Sequence, residues 1–118
     1  MEPQDRDTSW RCALDALAPG QSAKFELRRR GRSVPGFVVY HGGAHHAYVN
    51  RCPHAGTPLD WWPNEFFTED GQYLICATHG AVFAPDSGVC LEGPCPGARL
   101  ERLVVTARDG EIEVTVPA

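Results

Sequence analysis

The spacing of apolar and polar residues favours strands over helices almost everywhere along the chain. Ala23, Phe25 and Leu27 alternate with polar neighbours, as one face of a half-buried strand does. Residues 37–40 and 47–50 read as two more strands, separated by the turn-forming pair Gly42 and Gly43 with His41 and Ala44 on either side. Residues 73–76, 81–84 and 89–91 follow as short strands, each bounded by Gly, Pro, Asp or Ser. At the C-terminus, 103–108 and 111–116 flank Asp109 and Gly110, a dipeptide suited to a tight hairpin because both residues tolerate positive φ. Leu103, Val105 and Ala107 would then share a buried face with Ile112, Val114 and Val116. Only 15–17 and 59–66 could hold a helical turn.

The expected fold class is therefore all-β, a sandwich or barrel of short antiparallel strands. With 118 residues the chain makes a single domain, 1–118, large enough for a core without disulfide staples. Its 12 glycines and 10 prolines are spread throughout, which suits many short elements. Residues 1–9 are polar and of mixed charge, and are expected to form a loose tail rather than a signal peptide or anchor. No apolar run is long enough to span a bilayer, so a cytoplasmic location is expected.

Charge is informative mainly by position. The net charge of −4 argues against nucleic acid or an anionic membrane as partner. From Cys52 to Ala98 there is no Lys or Arg but six acids: Asp60, Glu65, Glu69, Asp70, Asp86 and Glu92. Arg28, Arg29, Arg30 and Arg32 form the only basic run and read as a solvated strand end or turn; Lys24 is the sole lysine. Five cysteines, an odd number without an export signal, suit metal or thiol chemistry better than a disulfide framework.

Two motifs stand apart from the scaffold: Cys52-Pro-His54 and, after 21 intervening residues, Cys76-Ala-Thr-His79. Each lies where an expected strand gives way to a loop. Two thiolates and two imidazoles are the donor set that tetrahedral zinc or an iron–sulfur cluster requires. Small-residue turns follow both pairs, Ala55 with Gly56 and Gly80 with Ala81.

Here the chain resembles the Rieske [2Fe–2S] proteins. Residues 52–59 are similar to that family's first cluster loop, 76–88 to its second, and Gly93 with Pro94 to the proline loop that covers the cluster. The resemblance implies a Rieske-type antiparallel β-sandwich with a small cluster-binding part at 51–97. It also implies one [2Fe–2S] cluster, with Cys52 and Cys76 on one iron and His54 and His79 on the other. Two neutral imidazoles in place of two thiolates leave the oxidised site neutral, which eases reduction; such centres lie at roughly −150 to +300 mV against about −400 mV for all-cysteine plant-type clusters. High-potential members carry a serine and a tyrosine where this chain has Ala81 and Phe83, neither of which can donate a hydrogen bond, so the low end of that range is expected.

The same resemblance implies a soluble ferredoxin, itself not an enzyme, that carries one electron at a time from a flavoprotein reductase to a terminal oxygenase. The acidic middle of the chain points to a partner with a basic docking face. Two other readings are an accessory subunit of a reductase, such as the small subunit of nitrite reductase, and a structural zinc module. Cys12 and Cys90 read as buried apolar thiols, and Cys95 as a residue that approaches the cluster. His41, His45 and His46 read as exposed turn residues. Trp61, Trp62, Phe66 and Phe67 form either a small core beneath the loops or a docking surface.

Overall fold

A computed structural model describes residues 8–53, 56–60, 65–76, 80–93 and 97–117. Among the described residues nine strands run in order: β1 (Trp10–Ala13), β2 (Ser22–Arg29), β3 (Arg32–His41), β4 (Ala44–Val49), β5 (Leu74–Ile75), β6 (Val82–Phe83), β7 (Cys90–Glu92), β8 (Val104–Arg108) and β9 (Glu111–Thr115). They form three antiparallel sheets of three strands, β1-β9-β8, β2-β3-β4 and β5-β6-β7, and the described residues include no helix. The all-β architecture is the one expected.

β2-β3-β4 is the middle layer and is covered on both sides. On one face Phe25, Leu27, Val38, Ala47 and Val49 pack against Leu103, Ile112 and Val114. On the other Phe37, Val39 and Tyr48 join Leu59, Phe66, Leu74, Phe83 and the buried cysteines. Burial on both sides explains why 37–39 is a continuous apolar run rather than an alternating one. The approach of the outer sheet is close: a Cβ at Gly36 would lie 2.5 Å from the Phe25 ring and 2.9 Å from Leu103 Cδ1. The edge of β4 is not left bare either, since Val49 N–H donates to the Glu101 carbonyl and Leu103 N–H to that of Ala47.

β3 begins earlier than the sequence pattern suggests, at Arg32, and passes through Pro35. A proline is tolerated there because the β3–β4 ladder reaches only to Gly36, paired with Val49, and the Pro35 carbonyl accepts the Asn50 N–H instead. The arginine run forms the β2–β3 turn, with Arg30 and Gly31 both at positive φ. Asp109 and Gly110 make the β8–β9 turn in the same way, and the register pairs Val105 with Val114 and Ala107 with Ile112. That shared face is only partly covered, and Ala107 near the hairpin's far end is exposed.

The tail through residue 7 lies outside the described residues; Thr8 exchanges two hydrogen bonds with Arg28. Residues 15–17 form a turn, not a helix. Residues 65–67 are extended, with Phe67 bridged to Leu74, and 61–64 lie outside the described residues.

Candidate metal centre

Cys52 and Cys76 are both buried, at 2% and 0% exposure, and belong to one cluster of buried side chains. Each opens a loop of the same construction. The Cys52 N–H donates to the Thr57 carbonyl at 2.8 Å, and its own carbonyl accepts the Gly56 N–H at 2.8 Å. At Cys76 the N–H donates to Ala81 at 2.8 Å and the carbonyl accepts from Gly80 at 2.9 Å. Gly56 and Gly80 sit at φ 73° and 72°, the left-handed conformation that closes a four-residue loop and that glycine adopts without steric cost. A third loop repeats the pattern without any thiol: Ala84 N–H donates to Val89, Gly88 N–H donates to Ala84, and Gly88 has φ 76°.

The first loop is anchored through side chains. Asn50, the one buried polar residue among those described, accepts the Leu59 N–H at 2.9 Å and donates to Asp60 Oδ1 at 3.3 Å. Lys24 Nζ donates to Asp60 Oδ2 at 2.9 Å, so the only lysine ties this loop to β2. Nothing in the local pattern marks Asn50 as a latch; only Lys24's uniqueness is visible in the sequence.

The second loop is held by β5-β6-β7. Leu74, Phe83 and Cys90 point inward and are buried. Ala81 and Phe83, at 1% and 0% exposure, give the Cys76 loop an apolar backing with no side-chain donor. The Cys90 thiol donates to the Glu92 carbonyl at 3.3 Å, and Cys12 packs at the edge of the other core. Burial, then the nearby Glu111 carboxylate, pushes the Cys12 thiol above its ordinary pKa, as an inert apolar thiol requires.

The histidines at 41–46 are not the exposed turn residues expected. The turn is confined to Gly42 and Gly43, which leaves all three histidines on strands and partly buried. His45 lies against Tyr40 with ring centroids 4.7 Å apart, and His41 against Phe67 at 6.1 Å.

The Rieske [2Fe–2S] domain model matches residues 9–115. The chain belongs to the Rieske [2Fe–2S] family. Among solved structures, it is similar to the ferredoxin of carbazole 1,9a-dioxygenase from Nocardioides aromaticivorans IC177, with 27% identity over 93% of this chain and 99% of that one and a TM-score of 0.72. It also matches a chain from the complex of reduced oxygenase and oxidized ferredoxin in carbazole 1,9a-dioxygenase, at 26% identity, 91% and 92% coverage and a TM-score of 0.71. The terminal oxygenase of carbazole 1,9a-dioxygenase from Novosphingobium sp. KA1 shares the fold, at 18% identity and a TM-score of 0.73, over 96% of this chain but 31% of that one. No curated protein matches the chain.

Membership of the Rieske family brings one [2Fe–2S] cluster as cofactor. The donor chemistry present fits it: two buried thiols in one side-chain cluster, each at the start of a loop closed by two backbone hydrogen bonds. His54, His79, Trp61, Trp62, Pro94 and Cys95 lie outside the described residues.

Proposed function

We propose that this Rieske protein is a one-electron carrier, a ferredoxin that takes its electron from a flavoprotein reductase and delivers it to a terminal oxygenase, without catalysing a reaction of its own. Cys52 and Cys76 ligate one iron of the cluster and His54 and His79 the other, all within the stretch 51–97 of a single domain, and the protein works in the cytoplasm. The reading rests most on the matched loops at Cys52 and Cys76, which deliver two buried thiols to one place in a Rieske fold. The alignment with a dioxygenase ferredoxin over nearly all of both chains supports the choice of carrier.

When bound, the cluster supplies one reversible electron. The chain's own residues set the terms. Apolar Ala81 and Phe83 offer no hydroxyl to the reduced state, which favours the low end of the Rieske potential range. Asn50, Asp60 and Lys24 fix the first loop, so little rearrangement accompanies a change of charge. The partner is expected to present a basic docking face, because the stretch 52–98 contributes six acids and no cation of its own.

Visible and EPR spectra of the purified protein, before and after dithionite, test the reading. A red-brown protein with an EPR signal only when reduced is expected, and Cys52→Ser and Cys76→Ser should each abolish it. A colourless protein holding one zinc ion would overturn it.

A further inference from the structure

Among the described residues, no layer covers the outer face of β5-β6-β7. Inward residues Leu74, Phe83 and Cys90 fill the core, so their neighbours Ile75, Val82 and Leu91 face the other way. Leu91 is 48% exposed and Tyr73, just ahead of β5, 42%, two open apolar side chains on one small face. Together these residues line a groove of about 890 Å³ whose wall includes Cys76 and Gly80, the two ends of the second cluster loop.

The rim of the groove carries one sign of charge. Glu69, Asp70 and Glu92 line it, and no Lys or Arg does. The other acids of this stretch are differently placed: Asp60 is paired with Lys24, and Asp86 and Glu65 do not line the groove. Asp70 accepts hydrogen bonds from Thr68 Oγ1 at 2.5 Å and from the Gln72 N–H at 3.1 Å, which hold its carboxylate in place and favour the charged form. Apolar floor, acidic rim and a cluster-bearing cysteine in one wall combine the features of a transient electron-transfer interface.

We infer that this groove is where the redox partner docks, and that the partner presents an apolar side chain ringed by arginine or lysine. The inference rests on the carrier reading above. In the docked complex the reduced chain loses one electron and the partner's acceptor gains it, with no atom transferred.

Cytochrome c, whose haem edge is ringed by lysines, serves as a probe of this chemistry, and ferricyanide as an anionic control. With reduced holoprotein at low ionic strength, stopped-flow oxidation by cytochrome c should be about tenfold or more slower in the triple variant Glu69→Gln, Asp70→Asn, Glu92→Gln, and the difference should vanish in high salt. Leu91→Ser with Tyr73→Ser should weaken binding of redox-inert, zinc-substituted cytochrome c several-fold by fluorescence anisotropy, at high salt as well as low. The spectrum should match the parent in all variants, and the triple variant should react with ferricyanide at least as fast as the parent. Parental rates and binding in the variants, or equal slowing with both oxidants, would overturn the groove as the docking site. Failure of the parent protein to yield one electron per chain to ferricyanide would instead overturn the carrier reading.

Discussion

Tyr48 couples the two halves of the second core, and its hydroxyl gives a pH-dependent test of that packing. The side chain is fully buried, lies 5.9 Å from Phe37 between ring centroids, and donates from Oη to the Pro85 carbonyl at 2.7 Å. Burial, more than the opposing influence of Arg102, pushes its pKa up to about 12. An exposed tyrosine in the unfolded chain ionises near pH 10, about two units lower. The folded state therefore favours the neutral phenol, so its contribution is complete below about pH 10 and is lost as pH rises through 12. At pH 11 the loss is roughly 1 kcal/mol, and well above pH 12 it reaches roughly 3 kcal/mol. In Tyr48→Phe the Pro85 carbonyl is left without this donor, which costs roughly 1–2 kcal/mol at neutral pH but removes the alkaline loss. Stability curves of the two proteins should thus converge and cross near about pH 11. Urea unfolding of the holoproteins under anaerobic conditions from pH 8 upward measures the difference, and alkaline effects common to both, such as titration of Cys12, cancel. A tyrosinate absorbance titration should also show the highest step missing in the variant. Parallel curves, or an unchanged highest step, would refute the burial argument.

Other perturbations probe the cluster loops directly. Asn50→Ala leaves the Leu59 N–H without its acceptor and removes one donor from Asp60 Oδ1, and should cost roughly 1–3 kcal/mol in urea unfolding and speed loss of cluster colour. Gly93→Ala places a Cβ 2.7 Å from Ala81 Cα, backbone that cannot give way cheaply; the protein should bleach faster than the parent in visible absorbance, while Gly97→Ala, with nothing within 4 Å of its Cβ, should not bleach to that extent. Ala81→Ser introduces a hydroxyl behind the Cys76 loop, and a bond that favours the reduced state by about 1–1.4 kcal/mol should raise the potential by roughly 40–60 mV in spectroelectrochemistry.

The features legible in the sequence were those in which one residue type has one physical use. Asp109 with Gly110 announces a two-residue turn because both accept positive φ, whereas Arg30 at φ 52° gives no such notice and is betrayed only by the glycine after it. The cysteine pairs were legible because thiols beside imidazoles at short spacing have few other uses. What depends on coverage was not. The run at 37–39 fits any buried strand, but only the packed layers show that both of its faces are buried, and Leu91 is exposed although its neighbour Cys90 is buried. Residues 41, 45 and 46 looked like turn histidines because glycines lie among them, yet the turn needs only Gly42 and Gly43 and the ladder claims the rest.

The loop at 84–89 bears on how such a protein matures. It repeats the hydrogen bonds and the left-handed glycine of the loops at Cys52 and Cys76, with proline, aspartate and serine in its interior instead of the metal-binding motif. The bonds that close all three therefore come from main-chain amides and a glycine, independently of what the side chains bind. The chain alone can then meet part of the ordering entropy of both cysteine positions, ahead of any ligand.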